Sequence, residues 1–156
     1  MIKKFSKFKL DESLRNKMTG VSDDNLFKGL YNDMLIKSFD IGFLGGIKKA
    51  LELGADFNKL SLSNASQNGY SDIVKFLIEN GKDVNEYDGY YTPIGRAIQG
   101  GQLDTVKTLV ELGADTDSTV NVWYASNQSS KIKYTLVELS NHFDRPEIAE
   151  YLKSIK

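Results

Sequence analysis

The sequence of 156 residues has no cysteine, one histidine, one tryptophan and two prolines. Without cysteine there is no disulfide, no cysteine zinc site and no thiol nucleophile, a set of absences that fits a reducing compartment. A single histidine without cysteine offers no Cys–His catalytic set and no second imidazole for a metal site, so His142 reads as an ordinary surface or capping residue. Long apolar runs are missing too. The stretch IGFLGGI at 41–47 is short and broken by glycine, well below the ~20 residues of a membrane-spanning helix. The opening MIKKFSKFKLDESLRNK is basic but has no apolar run of a secretory leader, and Asp11 and Glu12 interrupt it. A cytoplasmic protein with no membrane association is the expectation. No glycine-rich loop follows a strand to cradle a phosphate, because Gly45-Gly46 and Gly100-Gly101 lie at helix junctions. Net charge is −1, which leaves no overall electrostatic footprint for nucleic acid. The charge is uneven. Six basic residues against two acids put +4 on residues 1–20, leaving −5 on the remainder. With 40% hydrophobic and 26% charged residues, the chain has the composition of a folded globular protein.

What is present is self-similarity. GFLGGIKKALELGAD (42–56), GYSDIVKFLIENGKD (69–83) and GQLDTVKTLVELGAD (101–115) align without gaps. Each runs from one glycine to another twelve residues on. The matching apolar positions are Ile47/Val74/Val106, Ala50/Leu77/Leu109 and Leu51/Ile78/Val110, at i, i+3 and i+4 on one helix face. Lys48, Lys75 and Lys107 stand four residues before Glu52, Glu79 and Glu111, an arrangement for a solvated face. Asp72 and Asp104 fall in the first turn, where negative charge suits the helix dipole. A shorter helix precedes each segment: TPIGRAI (92–98) with Pro93 in its first turn and Ile94, Ala97 and Ile98 inward, and LSLSNAS (60–66) with Leu62 and Ala65 inward.

TPIGRAIQGG (92–101), together with GADFN (54–58) and GKDVN (81–85), resembles the ankyrin repeat, for which T-P-L-H-x-A-A-x-x-G and G-A-D-V-N are the matching patterns. The resemblance runs from about residue 31 to the C-terminus. It implies an all-α solenoid of about four helix-turn-helix repeats, near 33–58, 60–85, 92–117 and 135–156, with short β-hairpin fingers. Residues 1–30 match no repeat and read as an N-terminal helical cap or tail. A helix start is expected at Ser22-Asp23-Asp24-Asn25 and a short helix at 13–18. The other reading of Lys3, Lys4, Lys7 and Lys9 is a basic tail for an acidic membrane or nucleic acid. The first repeat should place Leu35, Ile36 and Phe39 on its inner helix. In the fourth, Thr135 matches Thr92 and Ser140 matches Ala97, and Asp144-Arg145-Pro146-Glu147 reads as a helix start capped by Asp144. The family's histidine after T-P-L is absent, with Gly95, Ser63 and Ile36 in its place.

The fingers differ in length. Only six residues separate Gly54 from Leu60, too few for a hairpin, whereas 22 separate Gly113 from Thr135. In DSTVNVWYASNQSSKIKY (117–134), alternating residues flank a turn-forming ASNQSS, which reads as one extended β-hairpin. Trp123 or Tyr124 on it is either a binding anchor or a packing residue, since only one hairpin face can be buried.

For function, the resemblance implies a non-catalytic module, with no cofactor and no metal, that binds another protein through a concave face of fingers and inner helices. The candidate contact residues are Glu86, Tyr87, Asp88, Tyr90 and Tyr91 of the second finger, Arg96 and Gln99 of the following helix, and Trp123 and Tyr124 of the hairpin. Asp56, Asp83 and Asp115 are placed by the repeat as turn acceptors, but nothing in the repeat demands three tyrosines around Asp88-Gly89. Carboxylates beside tyrosines suit a partner with a basic surface. Short free-standing ankyrin proteins of bacteria include immunity proteins that neutralise toxins, which makes a toxin domain one expected partner and a monomer the expected free state. A scaffold, an adaptor or a host-directed secreted effector are the alternatives.

Overall fold

The computed structural model describes residues 24–123 and 131–155. It divides into two compact units, Met1–Lys59 and Leu60–Lys156. The expected short helix at 13–18 and most of the expected cap lie outside the described residues.

In the first unit α1 (Asp24–Asp40) packs against α2 (Leu44–Leu53), followed by a single 3-10 turn at Phe57–Lys59. Helix α1 runs unbroken through residue 30, so no structural break separates a cap from the first repeat. Leu35 and Phe39, four apart, are buried, but Ile36 is 41% exposed. The expectation that Ile36 is an inner residue is therefore corrected: a step of 100° per residue carries it off the face that Leu35 and Phe39 share. Gly42, at φ 69°, turns the chain between the helices. A Cβ on Gly46 would lie 2.7 Å from the Phe43 ring and also meet the Ser38 hydroxyl, so the two glycines that open α2 leave room for that ring.

The second unit stacks three helix pairs. Short inner helices α3 (Leu62–Asn68), α5 (Pro93–Gly100) and α7 (Leu136–His142) adjoin in that order. Longer outer helices α4 (Ser71–Glu79), α6 (Leu103–Glu111) and α8 (Pro146–Ser154) do the same. The first two aligned positions lie in the core, Val74 and Leu77 on α4 and Val106 and Leu109 on α6, joined by Ile73 on α4 and by Ile148, Ala149 and Leu152 on α8, while the third aligned positions, Ile78 and Val110, are only half-buried. The hydroxyls of Ser66 and Ser140, buried where a repeat usually has an apolar residue, donate to the carbonyls of Leu62 and Leu136 at 2.8 and 2.7 Å. Gly100 is required by sterics, because a Cβ there would collide with the backbone carbonyl of Gln67 on α3.

Each inner helix ends in a left-handed residue. Gly69 and Gly101 serve at φ 80° and 73°, and Asp144 takes the same role at φ 55°. Asp144 is thus a helix terminator and not the expected cap of α8. Arg145 holds that capping position without a side-chain cap bond. The capping box lies earlier. Thr135 Oγ1 accepts from the Glu138 N–H at 3.3 Å while the Glu138 carboxylate accepts from the Thr135 N–H at 2.8 Å. T-x-x-E at 135–138 carried that signal in the sequence.

The 117–134 segment forms the expected hairpin: β1 (Thr119–Trp123) pairs antiparallel with β2 (Lys131–Thr135), from Thr119 opposite Thr135 to Trp123 opposite Lys131. Its base packs on α7, with Val120 buried, while Ile132 further out is 42% exposed. Among the described residues these are the only strands, so the first two fingers are not hairpins as expected. They are loops held by side-chain acceptors. Asp56, Asp83 and Asp115 each accept from the N–H two residues on, at 3.0, 2.9 and 2.9 Å. Asn85 then ties the second finger to the third by accepting from the Asp115 N–H at 2.8 Å.

Candidate functional site

The second finger is built around one carboxylate. Asp88 Oδ1 accepts from the N–H groups of Tyr90 and Tyr91, both at 2.9 Å, and Oδ2 accepts from Arg96 Nε at 2.6 Å. The Asp88 N–H returns a bond to the Tyr91 carbonyl at 3.1 Å, and Gly89, at φ 97°, supplies the left-handed turn between. Partial burial pushes the Asp88 carboxyl up. The Arg96 bond, the two backbone N–H bonds and the Arg96 charge outweigh it and hold the group down to about 2.

Arg96 belongs to α5, one turn beyond Pro93. Its Nη1 donates to Gln99 Oε1 at 2.9 Å, and its guanidinium carbon lies 4.9 Å from the centre of the Tyr91 ring and 5.9 Å from that of Tyr90. The side chain is only 19% exposed. Tyr91 is 8% exposed and its ring covers Gly95, where a Cβ would lie 3.2 Å from Tyr91 Cδ1. Burial pushes the Tyr91 phenol up. A side chain at Gly95, the position of the repeat's histidine, would press on Tyr91.

These positions divide the candidates. Tyr87 and Tyr90 point outward, at 57% and 59% exposure. Tyr91 does not: it is buried against Arg96 and Phe143. Asp88 has its charge compensated by Arg96 and its oxygens engaged, so it shapes the loop and is not a spare negative charge. Glu86 is half-buried beside them. Arg96 and Gln99 are bound to each other. Trp123 lies on β1 across from Lys131, and Tyr124 lies outside the described residues.

Three residues not among the candidates join the group. The Phe143 ring is 6.4 Å from Tyr91, His142 is 5.0 Å from Phe143, and Tyr134 of β2 stacks on His142 at 5.2 Å. The sequence did hold a sign of this: Tyr134-Thr135 repeats Tyr91-Thr92 in the same place before an inner helix.

Among the described residues no cluster of three His, Asp or Glu side chains could hold a metal ion, and no helix is long and apolar enough to cross a membrane. A family model described as ankyrin repeats (three copies) matches residues 37–120, more than half of the chain. The chain belongs to the ankyrin-repeat family, whose members are protein–protein interaction modules. A search of curated proteins finds no match.

Proposed function

We propose that this protein is a non-catalytic binding module that engages its protein partner through the second finger and the inner-helix ends beside it. The observation that carries the reading is the pair Tyr87 and Tyr90, two large exposed side chains on a loop that Asp88 has already fixed. A fixed loop presents aromatic anchors without a large entropic cost on binding, and exposed tyrosine is a common centre of interface energy. The partner has a basic surface, matched to the exposed carboxylates of Asp83 on this finger and of Asp115 and Asp117 on the third. The protein acts in the cytoplasm as a monomer when free, and its role is that of a bacterial immunity protein neutralising a cognate toxin. A scaffold or adaptor role would use the same surface.

The test is affinity capture from the native host with the wild type and with Tyr87→Ser/Tyr90→Ser, at matched stability. Loss of the captured partner from the variant supports the finger as the contact, and equal capture overturns it. A toxin gene beside this one, with one-to-one binding of its product, separates neutralisation from scaffolding.

A further inference from the structure

The finger and the hairpin base are linked by unbroken ring contacts. From Tyr90 the contacts pass to Arg96, Tyr91 and Phe143, and on through His142 to Tyr134, each step between 4.9 and 6.4 Å. The ends are accessible and the middle is packed. Tyr90 and His142 are exposed and Tyr134 is half-buried, while Tyr91 is buried. Elements far apart in sequence therefore meet as one band: the finger at 81–92, helix α5, the end of α7, and strand β2.

We propose that this band is a single binding surface spanning the second finger and the hairpin base, and that its occupant is an arginine-bearing segment of the partner protein. The proposal rests on the protein-binding reading and extends it to His142 and Tyr134. Two features select arginine. Tyr90 and His142 are exposed rings, and aromatic faces attract cations and stack a planar guanidinium. The band already holds one such pairing internally, with Arg96 lying 4.9 Å from the Tyr91 ring centre. Its surroundings also favour a cation. The second finger, 81–92, carries Asp83, Glu86 and Asp88 against Lys82, and the third adds Asp115 and Asp117. With Asp88 paired to Arg96, the exposed carboxylates of Asp83 and Asp115 attract positive charge and disfavour an acidic segment. Lys133 on β2 bounds this field on the hairpin side, so the guanidinium groups should sit nearest the finger.

The test uses the full chain and a decapeptide of alternating arginine and glycine, with lysine and glutamate versions as controls. His142 is the only histidine, so its imidazole gives one assignable proton signal. Titration of the arginine peptide should move the His142 and Tyr90 signals along one isotherm, with weaker binding of the lysine peptide and none of the glutamate peptide. Tyr87→Ser/Tyr90→Ser and His142→Asn, all at exposed positions, should each weaken binding about fivefold. If Tyr90 responds and His142 does not, the band is not one surface, although the finger remains a protein contact. If the arginine peptide fails to bind at millimolar concentration, or the glutamate peptide binds equally, the assigned partner chemistry is overturned. Host capture then decides the broader reading separately.

Discussion

The second finger and the long hairpin sit on successive connections of the same unit, yet they are held by different physics. The hairpin uses main-chain pairing between β1 and β2, and the Thr135–Glu138 capping box fixes the point where it enters α7. The finger has no strand pairing. A single carboxylate, Asp88, does that work by gathering two N–H groups and a guanidinium. The aligned threonines at the two helix starts differ in the same way. Thr135 caps its helix, whereas Thr92 makes no side-chain cap bond and its hydroxyl is buried without a partner. The finger is a short loop without a ladder, and its order is concentrated in one side chain. Distributed pairing should tolerate single substitutions, and concentrated bonding should not.

The largest effect should come from the finger. Asp88→Ala strands two N–H groups and Arg96, and should cost about 2 kcal/mol in chemical unfolding. The same group gives a pH signature. Its folded pKa of about 2 lies below the ordinary carboxylate value of 3.8, so its contribution is complete above about pH 4 and is lost as pH falls toward about 2. Asp88→Asn should remove that part of the acid dependence, and an unchanged acid limb would show that the carboxylate does not hold the loop. On the hairpin side, Thr135→Ala should cost about 1 kcal/mol through loss of the cap. Glu138, held below its ordinary pKa by the Thr135 N–H and hydroxyl, should titrate closer to normal in that variant by NMR. Thr92→Val should have the opposite sign, stabilising by up to about 1 kcal/mol, because it removes a buried hydroxyl that has no partner. A loss in that variant would place a cap at Thr92 after all. The smallest effect should be that of Tyr87→Ser/Tyr90→Ser, within about 0.5 kcal/mol of wild type, since these rings are largely in solvent. A greater loss would mean that the tyrosines support the fold.

Much of the architecture is legible in the residues. The glycines twelve apart bound helices whose i and i+3 positions are buried on α4 and α6, with the i+4 positions Ile78 and Val110 half-buried, and the two prolines open α5 and α8. The hairpin followed from alternation around ASNQSS. The failures share a cause. Asp144 before Arg145-Pro146 has the composition of a cap, but the backbone there must turn left-handed to end α7, a demand set by how α7 and α8 pack. Ile36 fits an apolar stripe until the rotation of the actual helix is known. Tyr87, Tyr90 and Tyr91 lie within five residues of one another, and nothing local tells an outward ring from a buried one.

The sequence alone determined the repeat, its helix limits, and the absence of cysteine and of any second histidine. All of these follow from local spacing and inventory. Tertiary structure alone decided which tyrosines remain in solvent, that Asp88 is neutralised by Arg96, and that Tyr134 and His142 join the second finger. Burial and ion pairing depend on neighbours brought from other parts of the chain. Here those neighbours come from residues 88 to 143, stacked side by side by three inner helices.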